Sequence, residues 1–255
     1  VNSEIKAVFF DLDDTLCAYW SASRRALRQA VDEASLDVPT DTFLDAWREV
    51  FTTFSKEIKT DKWYAHYLES GEPTRTEHIR RAFDLLRVDV NGEAERLSHR
   101  YNELRNQYLL LFPESLSVLT HLKRQFKMGL ITNGPADVQR QEIAALGIGH
   151  FFDHIYIEGE FKLGKPYPEI FDAGRIALGL TPKEMLFVGN AFEHDVQGAK
   201  NAGWHALWIN RGDEIDPGTS PRPDAVISDL REVCDWLGID RPIIERETHS
   251  VNLQQ

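Results

Sequence analysis

Cysteine is nearly absent: only Cys17 and Cys234 occur in 255 residues. That excludes a disulfide framework and a multi-cysteine metal site, and favours reduced thiols in a cytoplasmic setting. Long apolar runs are missing too. No segment approaches the ~18–20 residues of a membrane span, and Val1-Asn2-Ser3-Glu4 lacks the pattern of a secretory signal. Positive charge is in deficit, with 29 Lys and Arg against 41 Asp and Glu, a net charge of −12. Such acidity argues against nucleic acid or an anionic membrane as the main partner. It leaves room for a small anionic substrate at a locally basic site.

What is present is enough apolar material for a core: 42% hydrophobic and 11% aromatic residues. The stretch Ala7-Val8-Phe9-Phe10-Asp11-Leu12-Asp13-Asp14-Thr15-Leu16 runs four apolar residues straight into Asp-x-Asp-x-Thr. An apolar run without alternation suits a strand buried on both faces, as in a parallel sheet. Its carboxylates then emerge at the strand's C-terminal end, where open α/β sheets place their ligands. Two acids so close repel unless a cation or a shared proton relieves them.

After Leu16 the periodicity becomes helical for roughly a hundred residues. Helical spacing runs through Ala26 to Val31 and Phe43 to Phe54, then Trp63 to Leu68, His78 to Leu86 and Ala94 to Leu111. This predicts an all-helical insertion over 17–112. From Pro113, helices alternate with short apolar runs at Met128–Thr132, His154–Ile157, Met185–Gly189, His205–Ile209 and Ala225–Ile227. The alternation predicts a doubly wound, mainly parallel, Rossmann-like α/β core formed by 1–16 and 113–240. Residues 241–255 read as a loose polar tail.

Four polar groups fall at predicted strand tips or the loops after them: Asp11/Asp13/Thr15, Thr132/Asn133, Lys165, and Asn190/Asp195. Phe10-Asp11-Leu12-Asp13-Asp14-Thr15, Ile131-Thr132-Asn133-Gly134, Gly164-Lys165-Pro166 and Val188-Gly189-Asn190 with Asp195, in this order, resemble the haloacid dehalogenase-like superfamily. The insertion matches the helical cap this family carries after its first motif. Each motif is weak alone; four in order are specific.

The resemblance implies a phosphatase that hydrolyses a small phosphorylated metabolite. Asp11 would attack phosphorus and become an aspartyl-phosphate. Asp13 would protonate the leaving oxygen and then deprotonate water. Thr132, Asn133 and Lys165 would hold the phosphate, with Lys165 also beside the nucleophile. Mg2+ would be held by Asp11, the Asp13 main-chain carbonyl, Asn190 and Asp195, an oxygen set suited to that ion. Tyr19 and Trp20, directly after the catalytic loop, are expected to touch the substrate, and Thr15 to pin the turn. Many relatives carry Gly-Asp where this chain has Gly189-Asn190, so one negative charge is missing near the metal. Dehalogenation of a 2-haloacid, a phosphomutase, and a weakened phospho-ligand-binding relative are the alternatives on the same fold. The residues specify no oligomeric state.

Two decoys fall away. Gly159 to Lys165 has the spacing of a nucleotide-binding P-loop, but Pro166 stands where that motif needs Ser or Thr. Cys17 lacks the correctly spaced arginine of a cysteine phosphatase, Ser23 occupying that place. Lys56, Lys59 and Lys62 are expected on a solvated face.

Overall fold

The computed structural model describes residues 4–88, 92–212 and 214–242, so the expected tail lies, beyond its first two residues, outside the described residues. Strand β1 (Ala7–Phe10) is buried at every position. Five helices follow: α1 (Tyr19–Ala34), α2 (Thr40–Glu57), α3 (Asp61–Glu69), α4 (Glu72–Leu86) and α5 (Glu93–Tyr108). Helix α6 (Ser115–Leu122), β2 (Lys127–Thr132), α7 (Ala136–Leu146), β3 (His154–Ile157), the short α8 (Glu158–Phe161) and α9 (Pro168–Leu178) come next. The chain continues through β4 (Met185–Gly189), a π-helical turn at Phe192–Gln197, α10 (Gly198–Asn201), β5 (His205–Ile209), β6 (Ala225–Ile227) and α11 (Glu232–Leu237).

The six strands pair in parallel in the order β3-β2-β1-β4-β5-β6. This is the doubly wound, Rossmann-like arrangement, whose order reverses between β1 and β4. Side chains of β1 alternate between two cores. Val8 and Phe10 pack with Leu119, Ile143 and Val233, and Ala7 and Phe9 with Phe171, Phe187 and Trp204. The Phe9 ring meets Trp204 edge-on at 5.2 Å. Gly129 on β2 makes room for it, since a Cβ there would fall 2.0 Å from the ring. Helices α1, α2, α4 and α5 bury an apolar cluster of their own, including Leu27, Phe43, Ile79, Phe83, Leu97 and Leu104.

Two helices differ from the sequence expectation. Helix α4 begins six residues before His78, with Pro73 in its first turn, where a missing N–H has no intrahelical partner to lose. Helix α5 stops at Tyr108 because the next residues pair with the outgoing connector. Ala18 N donates to Leu110 O at 3.0 Å, Phe112 N donates to Leu16 O at 3.0 Å, and Cys17 and Leu111 form an antiparallel bridge. The chain therefore leaves the sheet and returns to it along two connectors lying side by side.

Phe9→Ala removes a fully buried ring from the sheet's core. It is expected to cost about 3–5 kcal/mol, against less than about 0.5 kcal/mol for Val226→Ala at a half-exposed strand position. Urea unfolding midpoints at constant m-value measure both.

Candidate active site

The reversal of strand order opens a crevice at the carboxyl ends of β1 and β4. Asp11 directly follows β1, and its N–H donates to Val188 O at 3.0 Å, extending the ladder by one residue. Thr132 ends β2, and Asn190 follows β4. Lys165 arrives from the loop after α8. Its Nζ lies 2.6 Å from Asp11 Oδ1 and 2.7 Å from Asp195 Oδ1. All three side chains are buried.

Each charge here survives only through its neighbours. Burial pushes the Asp11 carboxyl up to about 6, against the pull of Lys165. Burial also opposes the charge on Lys165, but Asp11 and Asp195 outweigh it and hold its pKa above the ordinary value. Asp195 reaches the lysine because residue 189 is glycine: a Cβ there would sit 2.3 Å from Asp195 Oδ2. That oxygen accepts from Ala191 N at 2.8 Å. The expected phosphate ligand Asn133 has its amide turned to Lys165. Its Oδ1 accepts from Lys165 N at 2.7 Å and its Nδ2 donates to Lys165 O at 2.8 Å. The asparagine clamps the backbone on both sides of the lysine's Cα.

Asp13 sits in a second buried network. Gln139 Nε2 on α7 donates to Asp13 Oδ2 at 3.1 Å and to Glu142 Oε2 at 2.9 Å. Thr132 Oγ1 donates to Gln139 Oε1 at 2.6 Å. Arg105 of α5 reaches Glu142 Oε1 at 3.4 Å. Burial, then the charges of Glu142 and Asp11, hold the Asp13 carboxyl well above the usual carboxylate range. Burial lifts Glu142 to about 7, against the attraction of Arg105. The two acids two residues apart thus differ in surroundings: Asp11 is paired with a cation, and Asp13 faces a second buried acid that shifts it toward its protonated form. Sequence reading passed over Gln139 and Glu142. Their signal was two polar residues three apart on the buried face of a helix that directly follows a strand tip.

Asn190 Oδ1 accepts from Thr15 Oγ1 at 3.3 Å, tying the β4 tip to the Asp11–Thr15 loop. Beside Asp13 opens a cavity of about 340 Å³, lined among others by Tyr19, Trp20 and Asn133. Lys59 lines it as well; its side chain is exposed, as expected, but its ammonium reaches back to the core. Its ammonium bonds Glu158 Oε1 at 2.6 Å, where Tyr64 OH also donates at 2.8 Å. Glu158 is itself buried and accepts from Gly134 N at 3.0 Å. The buried carboxylate is thus met by an exposed lysine distant in sequence, a pairing invisible in local charge pattern.

The donors available to a metal are oxygens. No group of three or more His, Cys, Asp or Glu side chains is arranged to hold one among the described residues. A metal set here must therefore mix carboxylates with neutral oxygens. Asp195 Oδ1 fits such a set: it is buried and lacks an aligned hydrogen bond, despite its short approach to Lys165.

A doubly wound α/β enzyme with a buried carboxylate–ammonium cluster at its strand-order reversal is the class this geometry defines. The family model "haloacid dehalogenase-like hydrolase" matches residues 5–203. The chain is 31% identical over 242 residues to the N-acylneuraminate-9-phosphatase of Mus musculus, covering 91% of this chain and 93% of that one. A phosphatase structure from Thermococcus onnurineus is 27% identical with a TM-score of 0.65, covering 93% of this chain and 100% of its own. A 2-haloacid dehalogenase from Pseudomonas syringae pv. Tomato is 26% identical with the same TM-score of 0.65, over 92% of this chain and 98% of its own. The chain belongs to the haloacid dehalogenase-like hydrolases, among their phosphoric monoester hydrolases.

The raised Glu142 carboxyl has a consequence for stability. Below about pH 4.5 both folded and unfolded chains hold this proton. Between there and about 7 only the folded chain keeps it, so stability declines as pH rises through that window. Glu142→Gln should flatten the decline without abolishing it, because Asp13 contributes with the same sign. Thermal midpoints across the window test this; a slope equal to the parent's would mean that Glu142 titrates normally.

Proposed function

We propose that this chain hydrolyses a small phosphorylated metabolite through an aspartyl-phosphate on Asp11. An Asp11 carboxylate oxygen attacks phosphorus as the bond to the leaving oxygen breaks, and Asp13 delivers its proton to that oxygen. Water then attacks the acyl phosphate, Asp13 takes back a proton, and phosphate leaves with the Asp11 carboxylate restored. Lys165 balances charge beside the nucleophile and the transferring group. Thr132, with the backbone near Asn133, contacts phosphate oxygens, while the Asn133 amide positions Lys165.

The observation that carries this reading is the split between the two acids. Asp11 is ion-paired to Lys165 at 2.6 Å, while Asp13 shares Gln139 with Glu142, and burial with the charge of Glu142 raises its carboxyl. Displacing a halide needs no general acid, so a second acid placed to hold a proton favours phosphate chemistry over dehalogenation although the fold serves both. Relatives named as phosphatases support the same choice.

Magnesium is the cofactor in this reading, held by the Asp11 and Asp195 carboxylates, the Asp13 main-chain carbonyl and the Asn190 amide oxygen. Once bound it would neutralise phosphate charge at the reacting centre. The helical block 17–112 serves as a cap over the core formed by 1–16 and 113–240. It limits access to small substrates and excludes water, with Tyr19 and Trp20 facing the substrate. Buried thiols at Cys17 and Cys234 suit a reducing, cytoplasmic setting.

Phosphate release from a panel of small phosphomonoesters should be abolished by Asp11→Asn and by chelation. Asp13→Asn should lower kcat by about a hundredfold or more. Full turnover in Asp11→Asn would sink the assigned nucleophile. Asn190→Asp restores a charge at the proposed metal shell and should tighten magnesium binding, measured by titration calorimetry. Unchanged affinity would put residue 190 outside that shell.

A further inference from the structure

The cavity beside Asp13 also holds a guanidinium for which phosphoryl transfer has no use. Arg75 on α4 lines this space, and its Nε donates to the Ser98 carbonyl at 3.2 Å and to Ser98 Oγ at 3.0 Å. Ser98 is fully buried on α5, so these bonds orient the guanidinium plane. The two Nη groups have neither a hydrogen-bond acceptor nor an ion-pair partner among the described residues. The other cations of the cavity are engaged: Lys59 with Glu158 at 2.6 Å, and Arg105 with Glu142 at 3.4 Å. Asp137 and Glu72 act on Arg75 only from a distance. The Asp137 carboxylate is already occupied by Ser70 Oγ, Gly71 N and Val138 N, at 2.8, 3.0 and 2.7 Å. One positive charge is therefore left without a counterion in a partly buried place, and burial together with the like charge of Arg105 lowers its pKa. Such a charge is unfavourable until an anion meets it.

We propose that Arg75 receives a carboxylate on the non-phosphate part of the substrate, making the preferred substrates phosphomonoesters of small carboxylic acids. The inference rests on the phosphatase reading for the phosphate end and adds the chemistry of the other end. Two unused Nη donors form a planar fork that matches a carboxylate's two oxygens. A single uncompensated charge matches a monoanion, whereas a second phosphate dianion would leave charge in excess. Trp47, Phe51 and Tyr67 line the same cavity and offer apolar faces to the carbon skeleton. A volume of about 340 Å³ holds a small metabolite and no polymer.

Matched pairs that differ only by the carboxylate test this directly: phosphoserine against phosphoethanolamine, and phosphoglycolate against ethyl phosphate. The parent enzyme should favour the acid of each pair in kcat/KM by on the order of tenfold or more, mainly through KM. Arg75→Gln should bring that ratio toward one, and Arg75→Lys should restore part of it. Calorimetric binding of the same pairs to Asp11→Asn protein repeats the comparison without turnover. A chain that released phosphate from no ester would fail as a phosphatase, yet tighter binding of the acids would still support Arg75. Equal rates and affinities within pairs would overturn the proposal while leaving the phosphatase reading intact. A preference untouched by Arg75→Gln in folded protein, or fructose bisphosphate outranking the acids, would overturn it too.

Discussion

Three buried charges in contact, Asp11, Lys165 and Asp195, set the terms for the rest of this structure. A lysine buried this deeply loses its hydration, and two carboxylates within 2.7 Å return that stabilisation. Removing the lysine would leave two carboxylates facing each other without water. Much of the surrounding chain serves to keep the cluster in register. The parallel pairing of β1 with β4 sets Asp11 beside the β4 tip, Gly189 leaves space for Asp195, and the Asn133 amide grips Lys165 by its backbone.

The second buried network sets the contrast on which the proposed chemistry depends. Asp13 shares Gln139 with Glu142, and burial with like charge raises its carboxyl well above the usual range. Arg105, the cation that offsets Glu142, belongs to α5 in the helical block. The same block meets the sheet side through Lys59 and Tyr64 on Glu158, and through Ser70 and Gly71 on Asp137. These are polar contacts at the ends of helices, while each part has an apolar cluster of its own.

The legible parts of the sequence were those governed by short-range patterns. A four-residue apolar run announced β1, helical periodicity announced the insertion, and four polar motifs in order announced the crevice. The misses have one physical origin. Lys59 is the surface lysine it looked like, but its partner was missed because Glu158 is 99 residues away in sequence. Gln139 and Glu142 looked like ordinary helix residues because only the docking of α7 against the Asp13 loop buries them. Arg75 looked like one more charge on a charged helix, and only the folded cavity reveals that no acid among the described residues pairs with it.

Residue order alone was enough to establish the parallel sheet, the insertion and the family, because those depend on the spacing of apolar groups and on motifs within a few residues of each other. It also put Asp11 and Asp13 together on one short loop. How each of the two is shifted was decided only in three dimensions. A carboxyl group's state depends on desolvation and on charges a few ångströms away, and those neighbours come from residues 105, 142, 165 and 195. The same holds for Arg75, whose lack of a counterion among the described residues is a property of the cavity and of no sequence window.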